Sequence, residues 1–212
     1  IALGACYRAA IVAFFVLFTY TELLDKTYYL NHYYFVSLLS FLLIFLPVHR
    51  SFSVDVWLRP QIGSATVPRW MLAAVRLQLG LVYFFAGIAK INPDWLSAAM
   101  PLQIWLRAHT DFPLLGPLFD HTATAYVMSW AGLPFDLTIP FLLLYPPTRW
   151  LAYGAVICFH VLTRLLFPIG MFPLLMIGCT LVFFSAEDFI RLAQWLGWRV
   201  KSRIPSPLRT SN

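Results

Sequence analysis

A few polar side chains interrupt otherwise apolar stretches, and each is of a kind that does chemistry. Lys90 sits in the string Gly87-Ile88-Ala89-Lys90-Ile91-Asn92-Pro93-Asp94-Trp95. Asn31 and His32 end the string Leu24-Asp25-Lys26-Thr27-Tyr28-Tyr29-Leu30-Asn31-His32, and Asp136 and His160 lie inside long apolar runs. An amine held away from water can act as a base near neutral pH. An amide and an imidazole can hydrogen-bond an oxygen and stabilise a developing anion there. A carboxylate at membrane depth must pair or take up a proton, and Arg76 and Arg164 are candidate partners for Asp136. Each group also has a purely structural reading. Lys90 can snorkel to an interface, Asn31 can cap a helix, His160 can bond a backbone carbonyl, and Asp25 with Lys26 can be a solvated loop pair. Position alone leaves these alternatives open.

The elements that must hold these groups follow from composition. Of 212 residues, 60% are hydrophobic, 17% aromatic and only 11% charged. A soluble domain carries about a quarter charged residues, so this much apolar surface calls for lipid, and the aromatic content, with 8 Trp, fits belts at two membrane interfaces. Cys6, Cys158 and Cys179 all lie in apolar runs without paired spacing, and the five histidines are scattered. Neither a disulfide framework nor a metal site is expected. The net charge of +6 sits in short loops and the tail, which reads as a topology signal rather than a nucleic-acid surface. The chain begins on Ile rather than Met, close to an apolar run and without an evident signal peptide, so an earlier helix is expected before it.

A spanning helix needs about 20 apolar residues. The sequence predicts an all-α, polytopic bundle of about six spans: Ala5–Thr21, Tyr33–Val48, Met71–Ala89, Ala123–Tyr145, Trp150–Phe167 and Ile169–Phe184. Pro168 and Gly170 break the fifth from the sixth. Within the long 91–122 loop, Trp95–Ala108 is amphipathic and is expected in the interface plane. The transmembrane domain is expected over 1–198, followed by a basic, disordered cytoplasmic tail over 199–212. Arginines at 50, 59 and 69 and in the tail lie on one side of this scheme; Glu22, Asp25, Asp94, Asp111 and Asp120 lie on the other. The positive-inside rule then puts His32 and Lys90 toward the exoplasmic face of a multi-pass protein, in the cytoplasmic membrane if the source is bacterial.

Three strings carry a family resemblance. LLDKTYYLNHYYFVSLLSF, VPRWMLAAVRLQLGLVYFFAGIAKINPDWL and CFHVLTRLLFPIGMFPLLM resemble, in order and spacing, stretches of the vitamin K-dependent gamma-carboxylase family. The similarity runs from about Cys6 to Phe184, and the same membrane module is known as the HTTM domain in bacterial relatives. The resemblance implies oxygenation of reduced vitamin K, a naphthohydroquinone, to its epoxide, coupled through O2 and CO2 to carboxylation of a protein glutamate. It implies that Lys90 is the base that starts the reaction, that His32 acts beside it, and that Asn31 and His160 lie against the quinone. Tyr83, with Phe84 and Phe85, supplies apolar surroundings that suit such a ring. The partners implied are membrane lipid and a glutamate-containing protein. The alternative is a quinone- or lipid-binding membrane module without carboxylation. Two departures stand out: Ala89 replaces a first lysine of the family motif, and the full carboxylases continue into a large lumenal domain beyond the point where this chain stops.

Overall fold

In a computed structural model, residues 1–25, 27, 30–64 and 66–198 are described; Lys26 and the basic tail at 199–212 lie outside them. Among the described residues eleven α-helices follow in order: α1 (Tyr7–Leu24), α2 (Asn31–Phe45), α3 (Val54–Leu58), α4 (Arg69–Ala89), α5 (Pro93–Leu96), α6 (Met100–Arg107), α7 (Gly116–Phe119), α8 (Thr122–Leu144), α9 (Arg149–Leu166), α10 (Phe172–Thr180) and α11 (Ala186–Trp195). Among the described residues there is no strand.

Three of these helices, α1, α4 and α8, are long and apolar enough to cross a membrane. A fourth crossing is added if α10, its short 3-10 extension and α11 count as one span, though they bend by 100°. The expected second span is a helix of 15 residues, and the fifth forms an 18-residue helix carrying Arg149 at its start and Arg164 in its last turn. The sixth departs most. Its helix ends at Thr180, and the chain turns extended at Phe184 before Ser185 starts α11. There the Ser185 hydroxyl accepts the Asp188 N–H while the Asp188 carboxylate accepts the Ser185 N–H. Such reciprocal capping fixes a helix start and therefore fixes the bend. The predicted break between α9 and α10 is present, with Gly170 at a φ of 66°.

α4 and α8 form the centre of the bundle. Gly80 and Gly87 lie about two turns apart on one face of α4 and meet Pro140 and Leu137 of α8. A Cβ on Gly87 would stand 2.6 Å from a Leu137 methyl, so the backbones approach only because that atom is absent. Small residues at a contact allow this approach in lipid, where no hydrophobic effect drives helices together. Pro134 and Pro140 lie inside α8. Around this pair, Leu79, Tyr83, Ile139, Leu143, Val156 and Met176 form the main core. Trp95–Ala108 is helical on both sides of one break and packs on the bundle. It divides into α5 and α6 at Ala99, where φ is 46°, and buries Leu102 and Leu106 against Phe119, Ala125 and Leu166.

α1 begins without a cap of its own. Asp55 supplies one from a distance, accepting the N–H groups of Cys6 at 2.8 Å and Tyr7 at 2.9 Å. Those bonds, that from Tyr7 foremost, hold the Asp55 carboxyl below the usual carboxylate range.

Candidate functional site

Lys90 follows the last residue of α4 and caps it. The chain then restarts at once, because the Asn92 side chain accepts the Trp95 N–H at 2.9 Å and Pro93 occupies the first turn of α5. That combination is a strong helix start. It carries Trp95 back onto α8, where Trp95 Nε1 donates to the Ser129 carbonyl at 2.8 Å and Ser129 Oγ donates to the Trp95 carbonyl at 2.6 Å. The Lys90 side chain lies beneath the Trp95 ring, with Nζ 5.1 Å from its centroid. Gly132 leaves the room: a Cβ there would be 3.9 Å from both Lys90 Cε and Trp95 Cζ2.

The amine does not run out toward water. Lys90 Nζ donates to Asp136 Oδ2 at 2.5 Å and to the Ala86 carbonyl at 3.2 Å, and the side chains are 17% and 4% exposed. The partner of Asp136 is therefore Lys90, neither Arg76 nor Arg164. Arg76 is engaged elsewhere, donating to the carbonyls of Val182 at 3.0 Å and Phe183 at 3.2 Å.

His160 is buried, and its Nε2 is 2.9 Å from the Tyr83 hydroxyl. Its Nδ1 is buried without a partner among the described residues. His32, half-buried, packs its ring edge against Tyr33 and lies 5.2 Å from the Phe172 ring. Asn31 is the first residue of α2 and does not cap it; Leu30 stands at that position. Asp25 accepts from the Thr27 hydroxyl at 2.6 Å and its N–H at 2.8 Å, and the hydroxyl bond holds its carboxyl below the usual range.

Two cavities take these groups. The larger, about 620 Å³, brings Asn31, His32 and His160 into one apolar wall with Phe35, Phe85 and Phe172. The smaller, about 340 Å³, is lined by Lys90, Trp95, Gly132, Phe135 and Phe167. Phe159 and Thr163 line both, and Phe159 stacks on Phe135 with centroids 4.2 Å apart. Lys90 is thus not in the same chamber as the other expected residues, although Ala86, whose carbonyl it bonds, lines the larger one. Tyr83, 2% exposed, stands behind His160 and lines neither. Phe84 faces a third groove on the far side of α4. The sequence reading missed Trp95, Ser129 and Gly132. The one available signal was that two opposite charges in separate apolar runs need each other.

A helical membrane protein with a buried ion pair at the contact of its two central helices is the class that this fold and site define. Comparison with known families places it more closely. The model of the HTTM domain matches residues 1–188, and the chain belongs to that family. No solved structure matches it.

Proposed function

We propose that this chain is a vitamin K-dependent gamma-carboxylase-like membrane enzyme, oxygenating a reduced naphthoquinone and coupling that reaction to carboxylation of a protein glutamate. The observation that carries the reading is the inward-turned lysine. A snorkelling lysine places its ammonium in water, whereas Lys90 bonds Asp136 under the Trp95 ring. Membership of the HTTM family and the three strings around Asn31, Lys90 and His160 support it.

The larger cavity fits a naphthoquinone ring. Its volume lies within the usual range for small-molecule pockets, about 300–1,000 Å³, its walls are mostly apolar with Asn31, His32 and His160 set into them, and His160 Nδ1 lacks a partner among the described residues. When the Tyr83 hydroxyl donates to Nε2, Nδ1 carries the proton, and a shift of the ring that exposes Nδ1 to the cavity would let it donate to a ligand oxygen. Asn31, His32 and His160 would hold the ring. Bound there with O2, the reduced ring would supply the strong base needed to remove a glutamate γ proton, with CO2 adding to that carbon. Lys90 Nζ is the base that receives the first proton. To be ready for it, the ammonium passes a proton to Asp136 Oδ2, 2.5 Å away, leaving a neutral amine beside a neutral acid. A charge pair taken out of water is costly to hold, which favours such a transfer. The aromatic wall excludes water from the amine.

We propose further that the chain crosses the membrane six times, with the shorter helices shielded by their neighbours, and that His32 and Lys90 face the exoplasmic side. Single cysteines at Thr27 and Ser97 should react with an impermeant thiol reagent in intact cells; reaction only after lysis would reverse the orientation.

The separation of Lys90 from Asn31, His32 and His160 favours a second reading, a quinone- or lipid-binding module without carboxylation. One purified sample separates the two. It is given reduced naphthoquinone, O2, labelled CO2 and a glutamate peptide, and both epoxide and carboxylated peptide are measured. Bound quinone without epoxide would overturn the enzyme reading.

A further inference from the structure

The groove on the outer side of α4 plays no part in the reaction above. Its volume is about 720 Å³, and one helical stripe of α4 forms its floor: Arg69, Ala73, Arg76, Leu77, Gly80 and Phe84. Pro140, Phe141 and Leu144 of α8 form the opposite wall. The stripe is strongly polarised. Both arginines stand toward its first end, and from Leu77 to Phe84 every lining residue is apolar or glycine. From Leu72 to Phe84 the helix rises by about 18 Å, a little more than half of a hydrocarbon core about 30 Å thick.

We propose that this groove binds one anionic phospholipid, its phosphate between Arg69 and Arg76 and an acyl chain along Gly80 and Phe84. Charge complementarity selects this occupant. No acidic side chain lines the groove. The nearby carboxylate of Asp188 is already paired, 2.7 Å from Arg149 Nη1. Arg69 is exposed and makes no hydrogen bond or ion pair among the described residues. Arg76 is held in place by the Val182 and Phe183 carbonyls through Nε and Nη2, leaving Nη1 free of protein partners among the described residues. A neutral quinone would use the apolar half but leave both arginines without a counter-charge. Gly80 keeps the floor open, since a Cβ there would just touch Pro140 at 3.6 Å and a longer side chain would fill the channel.

The test uses the purified full chain in detergent, equilibrated with phosphatidylglycerol or phosphatidylcholine of identical acyl chains and read by native mass spectrometry. The wild type should retain phosphatidylglycerol preferentially. Arg69→Gln, a change at an exposed position, should lower that retention by about fivefold, the weight of one basic side chain against an anionic headgroup. Phosphatidylcholine, whose phosphate is offset by its own choline cation, should lose clearly less. Gly80→Leu should lower retention of both lipids, and soluble glycerol phosphate should fail to displace the bound lipid. Equal retention of the two lipids by the wild type, or an unchanged preference in Arg69→Gln, would overturn the proposal. So would displacement by glycerol phosphate, which would make the site a phosphate site alone.

Discussion

Replacing Lys90 by Met tests the buried pair directly. The substitution keeps an unbranched side chain of similar length and removes only the charge. Asp136, 4% exposed in its side chain, is then left without its counter-ion among apolar neighbours. Removing one member of a buried pair costs about 3–5 kcal/mol. An independent route gives a similar figure. The cheapest escape for the carboxyl is to bind a proton, and for a group with an ordinary pKa near 3.9 this costs about 4 kcal/mol at pH 7. That is a large share of a typical domain stability of about 5–15 kcal/mol, but not all of it. The proton leaves a signature. The folded variant holds one proton more than the unfolded chain, so lowering the pH from 7 toward 5 should restore about 1.4 kcal/mol per unit. The wild type, with its charges balanced, should lack this dependence. Lys90→Met/Asp136→Leu should return to within about 1–2 kcal/mol of the wild type, because apolar pairs replace buried ion pairs well. Unfolding in mixed micelles at several pH values reads all three proteins. A loss below about 1 kcal/mol with no pH dependence would show that water reaches the pair and would remove the reasoning built on its burial.

Other expectations concern the reaction and the packing. Lys90→Arg should insert and fold yet lose epoxidation by about 100-fold or more, since a guanidinium with a pKa above about 12 is no base; near-normal turnover would return Lys90 to a structural role. Tyr83→Phe should destabilise the fold by about 1–3 kcal/mol, the cost of leaving His160 Nε2 buried and unbonded, and should weaken naphthoquinone retention measured by equilibrium dialysis. Gly87→Val should cost about 1–3 kcal/mol by forcing α4 from α8, whereas Gly80→Ala, whose Cβ has room, should be neutral or slightly stabilising; thermal unfolding compares them. At Asp55 the folded carboxyl is held below its ordinary range, so its contribution is complete above about pH 4 and is lost as pH falls through the folded value. Asp55→Asn should therefore speed amide exchange at Cys6 and Tyr7 at neutral pH, and the difference from wild type should vanish in acid.

What the sequence made legible were lengths and lone charges. The three helices that pass as spans begin and end within a few residues of Ala5–Thr21, Met71–Ala89 and Ala123–Tyr145, because apolar run length is the dominant signal in lipid. The end of the expected sixth span shows where that signal stops. Ile169–Phe184 is apolar throughout, and hydropathy cannot see that extended Phe184 and the Ser185–Asp188 cap turn the chain. At the site, Lys90, Asp136 and His160 stood out singly. Their partners did not, because the Lys90–Asp136 bond depends on how closely α4 meets α8, and Gly87 and Leu137 set that distance. Tyr83 read as a wall of the ring pocket, and only side-chain direction shows it to be the support behind His160.

The two prolines of α8 have a mechanical consequence. Pro134 and Pro140 lack the N–H that would tie back to the carbonyls of Trp130 and Asp136, so the helix has a missing rung on either side of the turn that carries Phe135 and Asp136. The Thr138 hydroxyl donates to the Pro134 carbonyl at 2.7 Å, a side-chain bond of the kind that tends to bend a helix. The turn is held on one side by Lys90 through Asp136 and lacks a backbone bond at both ends. A small tilt there would move the Asp136 carboxylate together with Phe135, whose ring stacks on Phe159, a residue that lines both cavities.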